Sequence, residues 1–105
     1  MIKVKRKEDL IDKELIYQVE LDGKAILQMR NDSIRNYHVS EGKHVIQITT
    51  KDYISKKIEF EYYKGKIIEF ECYPIHKDSI LSRSFRKIFF GKEGIELKIK
   101  GDFYL

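Results

Sequence analysis

The sequence predicts an all-β fold: an antiparallel β-sandwich of the immunoglobulin or prealbumin kind, with about seven or eight short strands in a single domain spanning 1–105. Three observations predict it. Apolar and polar residues alternate with period two through 15–21, 44–50, 58–63, 68–73 and 95–100. Clusters of turn-forming residues separate these stretches at spacings of about eight to twelve residues. The 105-residue chain is 42% hydrophobic, with seven Tyr and six Phe, which is enough to fill one interior.

Ile2, Val4 and the lysines between and after them alternate apolar and basic, so 2–6 reads as a first strand with Lys3 and Lys5 on its outer face. The polar stretch 8–13, with Leu10 and Ile11 embedded, reads as a connecting loop. Leu15, Tyr17, Val19 and Leu21 share one parity and form a half-buried strand. Asp22-Gly23 then fits a two-residue hairpin turn, because both residues tolerate positive φ. Ile26 continues the inward face, but Leu27 and Met29 have the opposite parity. Either a bulge intervenes or the loop has three residues.

Asn31-Asp32-Ser33 is a turn, and the strand after it points Tyr37 and Val39 inward, Asn36 and His38 outward. Beyond Ser40-Glu41-Gly42-Lys43 comes the densest β-branched run, with Ile46 and Ile48 on one face. Ile58, Phe60 and Tyr62 alternate with glutamates, and so do Ile68, Phe70 and Cys72 after Lys64-Gly65-Lys66. A hairpin through 64–66 would set Phe60 opposite Phe70, and also Glu61 opposite Glu69 and Glu59 opposite Glu71. Such like-charge pairs are unfavourable, so lysines of another strand are expected beside them.

Pro74 closes that strand. The stretch 79–90 reads in two ways: one short helix with Leu81, Phe85, Ile88 and Phe89 on a single face, or a loop followed by a strand from 85 to 90. Ile95, Leu97 and Ile99 form a clean last strand. Phe103-Tyr104-Leu105 is expected to dock on the core.

The order Leu21-Asp22-Gly23-Lys24, then Val39-Ser40-Glu41-Gly42-Lys43-His44-Val45-Ile46-Gln47-Ile48, resembles PEGA-like domains, with their "D-G-K … G-x-H-x-I-x-V" pattern. These are small bacterial β-sandwiches akin to carboxypeptidase regulatory-like modules. The resemblance covers roughly 15–73, with Ser40-Glu41 standing where the pattern has Pro-Pro. It implies a sandwich with a non-catalytic, accessory role, and His44 as a structural residue at a strand start.

The chemistry-bearing residues point the same way. The single cysteine excludes an internal disulfide and a structural zinc site built on several Cys. Cys72 has the parity of Ile68 and Phe70, as a small buried hydrophobe does. A zinc site from His38, His44 and Cys72 requires the fold to converge them, and His76 has no partner at ligand spacing. Glu59, Glu61, Glu69 and Glu71 lie on an open strand face, where nothing tunes them for acid–base work. No phosphate loop, nucleophile elbow or metalloprotease motif is present, so no enzyme, cofactor or metal is expected.

Net charge is +4, modest for a duplex-DNA binder. No apolar segment follows the basic N-terminal residues, and the expectation is a cytoplasmic protein. Two basic clusters stand out: Lys3, Lys5, Arg6 and Lys7, and Arg83, Arg86, Lys87 and Lys92, the latter interleaved with Phe85, Phe89 and Phe90. The expected partner is a protein, met by a strand edge or by the 75–90 segment. The alternative is an anionic surface, nucleic acid or membrane, held by the two clusters.

Overall fold

The computed structural model describes residues 1–75 and 93–104. Within them the chain is all-β: β1 (Ile2–Arg6), β2 (Tyr17–Leu21), β3 (Lys24–Met29), β4 (Ser33–Tyr37), β5 (Gly42–Thr49), β6 (Ile58–Tyr62), β7 (Lys66–Pro74) and β8 (Ile95–Tyr104). The alternative helix and strand readings of 79–90, His76, and the basic residues Arg83, Arg86, Lys87 and Lys92 lie outside the described residues. No helix among the described residues is long and apolar enough to cross a membrane.

The strands form two four-stranded sheets, ordered β4-β1-β7-β8 and β3-β2-β5-β6. Inward residues of both meet in one cluster that includes Ile2, Val4, Tyr17, Val19, Ile46, Ile48, Phe60, Phe70, Cys72 and Leu97. Alternation therefore assigned the buried face correctly along nearly every strand. One pairing departs from the antiparallel expectation: β1 runs parallel to β7, with Ile2 beside Ile68 and Val4 beside Phe70.

The Asp22-Gly23 turn has φ of 54° and 81° at its two central residues, as a two-residue hairpin with right-handed strand twist requires. The parity conflict after it resolves as a bulge: Leu21 pairs with Lys24 and Glu20 with Ala25, but Val19 pairs with Leu27. The extra residue lets Ile26, Leu27 and Met29 all reach the core.

The expected hairpin between 58–63 and 68–73, through a loop at 64–66, does not form. β6 pairs with β5, and β7 pairs with β1 and β8, so the turn after Tyr62 carries the chain from one sheet to the other. Phe60 and Phe70 do meet, but across the interior, ring edge to ring face at 5.2 Å between centroids. A hairpin and a crossing place the same residues inward, so parity could not separate them. The crossing also removes the expected glutamate repulsion. Glu59 and Glu61 go to the outer face of one sheet and Glu69 and Glu71 to that of the other.

The C-terminal residues depart as well. Phe103 and Tyr104 are 42% and 64% exposed rather than docked. They prolong β8, where β7 pairs with them on one side and no strand among the described residues lies on the other; Leu105 is outside the described residues.

Candidate functional site

The N-terminal basic cluster divides. Lys3 and Lys5 point outward from β1 as expected, and Lys7 is also exposed. Arg6 does not belong with them: it has the parity of Ile2 and Val4 and is 0% exposed. Its guanidinium donates to three backbone carbonyls, through Nη1 to Leu15 (2.5 Å) and Met29 (2.9 Å) and through Nη2 to Asp12 (2.6 Å). It also lies 3.8 Å from the centroid of the Tyr17 ring. Planar, forked donors suit this task, and a buried cation needs them to offset its lost hydration. Asp12, equally buried, accepts a hydrogen bond from the Tyr17 hydroxyl. Burial and this carboxylate hold the Tyr17 phenol far above its ordinary range. The result is a cage that fastens the 7–16 loop onto the core. Arg6 is thereby withdrawn from any external anion.

His44 anchors another set of turns. It begins the inward face of β5 and packs its ring 5.6 Å from Phe60. Nδ1 lies 2.6 Å from Asp22 Oδ2 and Nε2 lies 2.7 Å from the Ser40 carbonyl. Asp22 Oδ1 accepts the backbone N–H of Val45 at 2.8 Å, so the β2–β3 turn, the 40–42 turn and β5 share one node. The Asp22 contact, ahead of the opposing effect of burial, raises the His44 pKa above 6.5; the same bond lowers that of Asp22. Both ring nitrogens therefore act as donors in the protonated ring. Ser40 Oγ stands 3.4 Å from Nε2, a pairing that matches a nucleophile beside a base in composition only. That nitrogen is engaged by a carbonyl, and the hydroxyl finds no free base there.

On the outer face of the β4-β1-β7-β8 sheet, lysines do sit beside the glutamates. Lys3 is 3.8 Å from Glu69, and Lys98 and Lys100 are 3.8 and 4.0 Å from the same Glu71 oxygen. Lys7 and Lys98 flank the Tyr73 ring at 5.0 and 5.4 Å. Lys98 and Lys100 were outside the clusters read from the sequence. Their alternation in the last strand was the available signal, and only the β1–β7–β8 order joins them to Lys3 and Lys5.

Cys72 is fully buried beside Arg6 in the β1–β7 register. Burial pushes its thiol up to about 12, with the Arg6 charge pulling the other way. Among the described residues no three His, Cys, Asp or Glu side chains gather as metal ligands, so His38, His44 and Cys72 stay apart.

Among the described residues β8 is the longest edge strand. It is ten residues long, against five for the edge strands β4 and β6 and six for β3. Its outer side meets Ser55 at Ile95, and from Glu96 onward no strand among the described residues pairs with it. Ile99 is 46% exposed there, followed by Phe103 and Tyr104.

No family model matches the chain, and neither a curated protein nor a solved structure matches it.

Proposed function

We propose that this chain is a non-enzymatic interaction module that receives an extended segment of a protein partner along the open edge of β8. One observation carries the reading: a ten-residue edge strand with apolar side chains exposed along it. Unpaired backbone groups on an edge template a further strand; β8 carries charged residues but is not shortened as edge strands often are. Strand addition supplies backbone hydrogen bonds for affinity and alternate side-chain positions for selection. The buried thiol of Cys72 and the carbonyl-bound His44 favour this reading over catalysis. The accessory role implied by the PEGA-like resemblance agrees with it, in a cytoplasmic setting.

The test is an NMR titration of isotope-labelled protein with a blocked decapeptide of alternating Gln and Val. Shifts concentrated on β8 and its neighbour β7, with slowed amide exchange from 96 to 104, are expected. Shifts at β3, β4 or β6 instead, or none at millimolar peptide, would overturn the reading.

A further inference from the structure

We propose that the segment taken by β8 alternates acidic and apolar residues, its carboxylates lying beside Lys98 and Lys100. This rests on the strand-addition reading above and adds the chemistry of the partner.

Lys98 and Lys100 both approach Glu71 Oε1, at 3.8 and 4.0 Å, so both lie on the outer face of their sheet. Glu71 is 7% exposed, whereas the lysine side chains are 41% and 49% exposed. One sunken carboxylate thus serves two ammonium groups that remain open to solvent. The two lysines and Glu71 together leave one unit of positive charge at the Lys98–Lys100 part of β8, whose outer edge has no partner strand there among the described residues. On the next strand but one, Lys3 shares Glu69, and Lys5 lines the same shallow concavity as Lys100 and Glu71. At Glu96, which lies opposite Tyr73 near the start of β8, a carboxylate on an added strand would meet a like charge. Acidic side chains are therefore selected at the Lys98–Lys100 part of the edge and disfavoured at Glu96.

The opposite parity is apolar. Leu97 is buried in the core, and Ile99, opposite Phe70 in the register, is half exposed at its margin. Residues of the added strand that alternate with the carboxylates would extend this apolar surface. Side chains directly opposite one another in adjacent strands lie about 4.5–5.5 Å apart, within reach of both an ion pair and an apolar contact.

Three blocked decapeptides separate the possibilities, titrated into the unmodified chain at low and high salt: Glu-Val, Gln-Val and Lys-Val repeats. The Glu-Val peptide is expected to bind about tenfold more tightly than Gln-Val, given two opposite-charge pairs, with Lys-Val weakest. High salt should shrink the difference. A Lys98→Gln/Lys100→Gln variant, its fold checked by its amide spectrum, should bind Glu-Val and Gln-Val alike. Equal binding of all three peptides to the unmodified chain would overturn the charge assignment and leave strand addition standing. Binding of none would overturn both. Adsorption to phosphatidylserine vesicles with no response to any peptide would reassign the lysines to a membrane surface and overturn the proposal.

Discussion

Two basic side chains sit at inward positions, and they fasten loops in opposite ways. Arg6 lies in β1, takes three carbonyls and is sealed from water. His44 lies at the start of β5, bridges Asp22 and the Ser40 carbonyl, and keeps a sliver of exposure at the rim. Guanidinium cannot lose its proton in a protein, so the Arg6 cage is permanent. Imidazole titrates near neutrality, so the His44 node depends on pH. The same device, a donor cation tying loop carbonyls to a core face, is thus rigid at one place and adjustable at the other.

The strongest test of the contrast is Arg6→Met. It leaves three backbone carbonyls without their donors, and should cost about 3–5 kcal/mol in urea unfolding. Arg6→Lys should recover little, because a single ammonium cannot span the fork of carbonyls. The Cys72 thiol gives a second reading: nearly inert to iodoacetamide at pH 8 in the folded chain, it should label faster in Arg6→Met in step with the unfolded fraction. A loss below 1 kcal/mol would show that the cage does not hold the loop.

Tyr17→Phe comes next. It leaves a buried carboxylate without its hydroxyl donor, for about 1–3 kcal/mol. The change should be the same from pH 6 to 8, as befits the permanent device.

At the other node, His44→Gln should cost about 0.5–1.5 kcal/mol at pH 6. The pH course sharpens the comparison. The folded His44 pKa is raised, so its contribution is complete below 6.5 and fades as pH rises through the raised value. The Asp22 pKa is lowered, so the same contact is present above 3.8 and fades as pH falls through the lowered value. The stability difference between the unmodified chain and His44→Gln should therefore shrink on the alkaline side, whereas the Arg6→Met difference stays flat. An imidazole titration by NMR that falls below 6.5 would break the contrast.

The smallest effect belongs to the exposed pairs. Lys3→Ala removes a 3.8 Å contact with Glu69 between half-exposed side chains, and should change stability by about 0.2–1 kcal/mol or less, vanishing in high salt.

Much of this architecture was legible in the residues. Tyr17, Val19, Ile46, Ile48, Phe60 and Phe70 announced their inward faces, because a strand must present alternate side chains to opposite sides. Asp22-Gly23 announced its turn through the φ values those residues tolerate. Of the two anchors, Arg6 was legible in principle: its parity with Ile2 and Val4 placed it inside. The run of neighbouring lysines drew it into a surface cluster instead, and charge type outweighed position. His44 was legible as structural, but its partners Asp22 and Ser40 come from two different turns and are joined only by folding.

Chemistry along the chain settled the class of fold, the strand positions and the faces, since alternation and turn propensity act over a few neighbouring residues. Partner choice lay beyond that range. That β7 pairs with the distant β1, that the chain crosses between sheets after Tyr62, and that Lys98 joins Lys3 on one surface all follow from contacts between remote segments. A two-residue period marks which side of a strand is buried, and the assembled layers alone decide what lies beside it.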